Sequence, residues 1–283
     1  MLLEALEYLL TPASRLARRM GFLREQIAIK ARFRRNREAW APHLAATREA
    51  ILDAASRCTG NRCALILGAG LHYDLPLEEL SLRFDRVVLA DLLHRPGPRR
   101  RAAALGPHIL CVEFDVSGAL ETVFASNGKL SEDELFSRVR LAQPGLPAAC
   151  GGEPDLVVSA NLASQLMLLP CEWLERKQPR SQPFPARLAE AALHRHLDWL
   201  QDRRGVCALI AEEERLRVDR SGTITAREPI AGMQDMIAPD RTWTWRIAPI
   251  PELDPLHHVE HAVACWLRAG RSGWPAVSPR LSP

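Results

Sequence analysis

Four short apolar runs, each closed by glycine or a polar residue, constrain this chain more than anything else in it. Cys63-Ala-Leu-Ile-Leu67 leads into Gly68-Ala69-Gly70, and Arg86-Val-Val-Leu-Ala runs into Asp91. His108-Ile-Leu-Cys-Val-Glu-Phe runs into Asp115, and Asp155-Leu-Val-Val-Ser-Ala into Asn161. Runs this short and this apolar predict strands buried on both faces. The stretches between them predict helices at 76–83, near 99–105, and twice within 117–141, where Ser131-Glu-Asp-Glu134 fits a capping box. Glycine and proline make 144–154 a loop. Residues 162–185 hold four prolines and predict a short helix and a long loop. An amphipathic helix over 186–203 then precedes a fifth strand, Gly205-Val-Cys-Ala-Leu-Ile-Ala211. Alternation of this kind gives an α/β fold with a doubly wound, mostly parallel sheet. In such sheets the ligand sits at the carboxyl ends of the strands, near the point where strand order reverses.

The flanks differ from this centre. Leu2, Leu3, Leu6, Leu9 and Leu10 recur at helical spacing, and Thr11-Pro12 fits an N-cap followed by proline. From Arg15 to Arg37 the chain holds nine Arg and Lys against Glu25, with Glu38 next, set on Leu16, Met20, Leu23, Ile27 and Ile29. Pro42 opens another helix, ended by Thr59-Gly60. Residues 1–41 therefore read as a helical extension or lid, 42–269 as the α/β domain, and 270–283 as a loose tail. Arg217 to Arg227 predicts a hairpin turning at Asp219-Arg-Ser-Gly222. Thr242 to Pro249 predicts a last strand with Trp243 and Trp245 on one face, and 256–268 a closing helix.

Composition excludes several classes. With 283 residues, 47% hydrophobic and 25% charged, the chain can bury a sizeable core. No apolar run is long enough for a spanning helix. The opening MLLEALEYLL carries Glu4 and Glu7 and does not read as a secretory leader. A net charge of +3 is too mild to imply nucleic acid, and only Phe22 and Phe33 could stack within the basic stretch. That stretch predicts a solvated face over the cleft, with an anionic partner or membrane surface as the alternative. Seven cysteines without a CxxC pair predict free thiols and a cytoplasmic protein. His257, His261 and Cys265 fall on one face of the predicted closing helix, an ordinary amphipathic one, and no metal is expected. His194 and His196 predict surface positions on different sides of their helix.

The strand ends carry the chemistry. Glycines at 68 and 70 allow a sharp turn and close approach of a ligand. Asp91 could accept both hydrogen bonds of a ribose diol, and Asp115 could accept from an exocyclic amine. Asn161 could steer a substrate. The bland alternative is that Asp91 and Asp115 cap the helices that follow.

In layout, residues 42–250 resemble the class I S-adenosylmethionine-dependent methyltransferases, a Rossmann-like family. LILGAGL matches the glycine-rich first motif, with wording nearest the leucine carboxyl methyltransferase-like branch. VVLAD matches the second, EFDVS the third and DLVVSAN the fourth. The resemblance implies S-adenosyl-L-methionine as cofactor and a small-molecule acceptor. It implies a cofactor site made of Gly68, Ala69, Gly70, Asp91, Asp115 and Asn161, and an antiparallel edge from the late hairpin and Trp243 strand. His72, Tyr73 and Asn161 sit where they could orient or deprotonate an acceptor. Ile66 stands where the family often has an acid, and His72 where it has a third glycine. A nicotinamide dinucleotide site is the rival reading, with Tyr73 at its third glycine position. An inactive, partner-binding relative is the other.

Overall fold

A computed structural model describes residues 2–233 and 236–269. Its helices are α1 (Leu2–Leu10), α2 (Arg15–Met20), α3 (Phe22–Arg35), α4 (Arg37–Ser56), α5 (Leu77–Arg83), α6 (Pro96–Leu105), α7 (Leu120–Ser126), α8 (Glu132–Leu141), α9 (Leu168–Lys177) and α10 (Phe184–Gln201). Its strands are β1 (Ala64–Leu67), β2 (Val87–Asp91), β3 (Ile109–Glu113), β4 (Leu156–Ala160), β5 (Val206–Asp219), β6 (Ile224–Pro229), β7 (Arg241–Ala248) and β8 (His257–Ala269). The tail expected over 270–283 lies outside the described residues.

The described strands form one sheet in the order β3-β2-β1-β4-β5-β8-β7, with β6 off this path and paired to β5. β1 to β5 run parallel, β8 is antiparallel to β5, and β7 is antiparallel to β8. Alternate residues of each strand feed two cores. Leu65, Leu67, Val88, Val157 and Leu209 pack on one face with α7 to α10. Ile66, Val87, Leu89, Val158 and Ile210 pack on the other with α4 to α6. This is the mostly parallel, doubly wound architecture that the four apolar runs predict.

Three local expectations are corrected. The segment 256–268 is strand β8, not a helix, because it pairs along the whole length of β5 from Val206↔Ala269 to Asp219↔His257. Its apolar residues fit both periods. A strand between two others needs apolar side chains on both faces, and Val263, Ala264, Cys265, Trp266 and Leu267 are all buried. Residues four apart on a strand lie about 13 Å apart, so His257, His261 and Cys265 do not converge. Helix α4 begins at Arg37 and carries Pro42 inside it. Helix α2 is capped by Ser14, whose hydroxyl accepts from Ala17 N–H, while Thr11 Oγ1 donates back to Glu7 O at 2.7 Å. The capping box at Ser131 and Glu134 and the turn at Asp219 form as expected.

The N-terminal helices are fastened down. Met20 and Leu23 are fully buried, and Leu23 and Ile27 pack on Leu93. Four of the nine cations bond within the chain: Arg18 to Tyr8 O, Lys30 to Glu7, and Arg32 and Arg35 to Glu252. Arg95 also reaches Glu7. A cationic face for an anionic partner therefore rests on Arg15, Arg19, Arg24, Arg34 and Arg37, all exposed. No described helix is long and apolar enough to cross a membrane. The seven cysteines are unpaired, five of them buried.

Because Leu23 is fully buried against Leu93, Leu23→Ala should lower stability by about 2–5 kcal/mol, the cost of a large-to-small change in a core. Urea unfolding followed by circular dichroism checks this, and a change within experimental error would show that α3 is not part of the cooperative unit.

Candidate functional site

Strand order reverses between β1 and β4, so a crevice opens at their carboxyl ends. The loop after β1 is built on left-handed backbone, with φ of 76° at Gly68, 50° at Gly70 and 61° at His72. The two glycines serve different ends. A Cβ at Gly68 would lie 2.8 Å from Ala160 O and 2.9 Å from Leu162 Cβ, so β4 and its following loop require glycine there. A Cβ at Gly70 would meet nothing nearer than Gly68 O at 3.7 Å and Asp91 Oδ2 at 3.9 Å, so that backbone stays approachable. Ala69 is buried in the core on the α4 side.

Asp91 ends β2 and holds the loop. Its Oδ2 accepts from Gly70 N–H at 2.8 Å, and its Oδ1 accepts from Leu93 N–H at 3.3 Å. Burial pushes its carboxyl up, opposed by His94 and by these backbone donors. Asp115 organises the entry to α7. Its Oδ1 accepts from the Ser117 N–H and hydroxyl, and its Oδ2 from Leu120 N–H at 2.8 Å. The helix-capping alternative thus describes what Asp115 does locally, and one acceptor position on Oδ2 remains.

Asn161, just past β4, has φ of 50° and joins a polar cluster. Its Nδ2 donates to Asp74 Oδ2 at 2.9 Å and lies 3.5 Å from His43 Nε2. Trp243 Nε1 donates to His43 Nδ1 at 3.0 Å. An indole N–H can only donate, so His43 Nδ1 accepts and the ring proton sits on Nε2, a donor that faces the Asn161 amide nitrogen without accepting from it. The His43 ring stacks on Trp245 at 4.1 Å. Burial holds the His43 imidazole down to about 3 and pushes the Asp74 carboxyl up. Asn161 Oδ1, Thr47 Oγ1 and Trp245 Nε1 are buried without a hydrogen-bond partner among the described residues. Beside this cluster Glu212 lies 3.0 Å from His261 Nδ1 and accepts from Ser164 Oγ at 2.5 Å. Burial opposes ionisation of Glu212, but the contacts with His261 and Ser164 outweigh it and its carboxyl lies below the usual range.

The candidate residues separate into groups. Gly70 and Asp91 come together, and Asn161 heads the polar cluster. Tyr73 stacks on Phe33 of α3 at 4.0 Å, and Arg48 donates to its carbonyl. His72 is fully buried and faces His94, their ring centres 6.2 Å apart. The expectation of surface positions fails for His196, which is 2% exposed and sits with Nε2 2.8 Å from Ser159 Oγ. The position belongs to the inward face of α10, beside Leu193, Leu197 and Leu200. Sequence reasoning missed His43, Asp74 and Glu212. Only Asp74 carried a cue, through its place just after the glycine loop. His43 meets Asn161 across 118 residues of chain.

No protein-family model and no curated protein matches this chain. Solved structures with a similar chain path include a Burkholderia thailandensis 1,6-didemethyltoxoflavin N1-methyltransferase with bound 1,6-didemethyltoxoflavin and S-adenosylhomocysteine. It is 16% identical, with a TM-score of 0.41, over 90% of this chain and 92% of that one. Another is the glycopeptide N-methyltransferase MtfA with S-adenosyl-L-methionine, 15% identical, with a TM-score of 0.31, over 77% of each chain. Likeness at that level assigns no activity to this chain.

Burial holds His43 to about 3 and His196 to about 4. The unfolded chain, with histidines near 6.5, therefore binds more protons than the folded one as pH falls below that value. Stability should be full above about pH 6.5 and decline toward pH 4, by up to about 1.4 kcal/mol per pH unit for each imidazole. His196→Gln should flatten the decline, measured by denaturant unfolding across pH. An unchanged slope would show that His196 is protonated in the folded state.

Proposed function

We propose that this chain is an S-adenosylmethionine-dependent methyltransferase acting on a small-molecule acceptor in the cytoplasm. The observation that carries the reading is the Asp91 carboxylate at the carboxyl end of β2, clasped to the Gly70 N–H at the switch point. Its Oδ2 accepts from Gly70 N–H and its Oδ1 from Leu93 N–H, and a carboxylate oxygen can accept more than one hydrogen bond. A ribose diol would supply two further donors. Gly70 suits the same ligand because a nucleoside could approach its backbone without meeting a Cβ. Asp115 keeps one acceptor position on Oδ2 for the adenine amine, and Gly68 and Ala69 shape the loop between them. When bound, the donor supplies a sulfonium methyl group ready for displacement.

The chain's own contribution would be position and proton handling. The unpartnered Asn161 Oδ1 and the neutral His43 offer an acceptor polar contacts at the end of β4. Asp74, its carboxyl raised by burial, could hold or take a proton beside them. Tyr73, stacked on Phe33, is better read as a strut between the loop and α3. Helices α1 to α3 would act as a lid, since Gln26 Nε2 donates to Leu93 O at 3.0 Å and Leu93 is buried beneath Leu23 and Ile27.

The dinucleotide reading is weaker. That fold is six parallel strands in the order 3-2-1-4-5-6, whereas here an antiparallel strand, β8, separates β5 from β7.

Thermal shift should show stabilisation by S-adenosylmethionine and S-adenosylhomocysteine and none by NAD. In calorimetry, Asp91→Ala should weaken S-adenosylhomocysteine by about 1–3 kcal/mol, the scale of lost charge-assisted hydrogen bonds, and Gly70→Val should abolish binding. Unchanged affinity in either folded variant would sink the site. If the donor binds but no methyl reaches any small molecule of a metabolite extract, the inactive-relative reading stands instead. For the lid, S-adenosylhomocysteine should alter proteolysis in the link at residues 11–14. Identical cleavage with and without ligand would count against a moving lid.

A further inference from the structure

Three side chains from three neighbouring strands meet beneath the glycine loop. His72 follows β1, His94 follows β2 and Cys111 lies within β3, and their potential ligand atoms all lie within 4.8 Å of one another. The parallel order β3-β2-β1 brings them together. His72 is fully buried, yet among the described residues neither of its ring nitrogens has a hydrogen-bond partner. His94 is 3% exposed, and its Nδ1 is equally unpartnered. Buried imidazole nitrogens without partners are rare in folded proteins and call for an occupant.

The surrounding bonds prepare these atoms as ligands. His94 Nε2 lies 2.9 Å from Val112 O. A carbonyl only accepts, so the ring proton is on Nε2 and the Nδ1 lone pair is bare, the arrangement in which metal-bound histidines are oriented by their second nitrogen. Two arginines of α6 brace the backbone on both sides, Arg101 donating to His72 O and Arg99 to His94 O, each at 3.0 Å. Cys111 is only half-buried, the most exposed of the three.

We propose that His72, His94 Nδ1 and Cys111 Sγ bind a zinc ion, with water completing a tetrahedral shell. Two nitrogens, one sulfur and a water are a ligand set that zinc takes. Tetrahedral zinc sets its ligand atoms about 3.3–3.7 Å apart, so separations within 4.8 Å need close by no more than about 1.5 Å as the ion enters. Cys111 binds as thiolate, and its proton passes to solvent. The ion ties the loop after β1 to β2 and β3, and this holds whether or not the crevice binds a methyl donor.

The test uses the full chain, stripped of metal by a chelator and titrated with cobalt(II) as a spectroscopic stand-in. The expected result is one equivalent of cobalt, a thiolate-to-cobalt charge-transfer band in the near ultraviolet and visible bands of tetrahedral strength, all removed by adding zinc. Cys111→Ser should lose the charge-transfer band, while Cys207→Ser, at a buried cysteine of β5, should keep it. His72→Asn, which tolerates the left-handed backbone, and His94→Gln should each weaken cobalt at least tenfold. Zinc should raise the melting temperature of the parent chain and leave that of Cys111→Ser unchanged. Absence of the band in the parent chain, a reading that needs no variant, would overturn the proposal. So would persistence of the band in folded Cys111→Ser.

Discussion

The pairing of β5 with β8 is the constraint on which the remaining structure depends. It aligns the whole of β5 against β8, from Val206 and Ala269 to Asp219 and His257. β5 thereby becomes an interior strand, with β4 on one side and β8 on the other. β8 in turn carries β7, which brings Trp243 and Trp245 against α4 and His43. Without that ladder the polar cluster around Asn161 would lose its far wall. The register shift between Glu212 and Glu214 falls where β5 passes the end of β4. Such irregularities re-aim side chains at sheet ends, and Glu212 there meets Ser164 and His261.

The crevice is polar at its mouth and stiff at its base, and both follow from parallel strands ending together. Each strand end leaves backbone groups without a ladder partner. Asp91 and Asp115 take up several of them, at Gly70, Leu93, Ser117 and Leu120. A buried carboxylate is stable only when it is hydrogen-bonded in this way. The same carboxylates therefore shape the loops and present their remaining lone pairs to the cleft. Capping and ligand binding are compatible uses of one side chain.

The first five strands, the helices between them and the glycine loop were legible in the sequence, because apolar runs and local capping are short-range facts. The two roles of the glycines were not. Gly68 is required by Ala160 and Leu162, residues far along the chain, whereas a Cβ at Gly70 would make only ordinary contacts, with Gly68 O and Asp91 Oδ2. β8 was misread because Val259, Ala262, Val263 and Trp266 suit a helical stripe and a doubly buried strand equally well, and only β5 chooses between them. His196 was misread although Leu193 and Leu200, three before and four after it, mark the inward face; its residue type pointed to the surface, and only the fold supplies its partner, Ser159.

What the sequence by itself determined is the alternating α/β order, the switch-point loop and the acids at the strand ends, since these depend on neighbours a few residues away. What only the tertiary structure decided is which distant side chains share a space. His43 reaches Asn161, and Glu212 reaches His261, through the closing edge of the sheet. His72, His94 and Cys111 meet because three parallel strands lie side by side. Hydrophobic periodicity specifies faces and periods. Encounters between residues tens to hundreds apart are set by strand order and register, which no local pattern encodes.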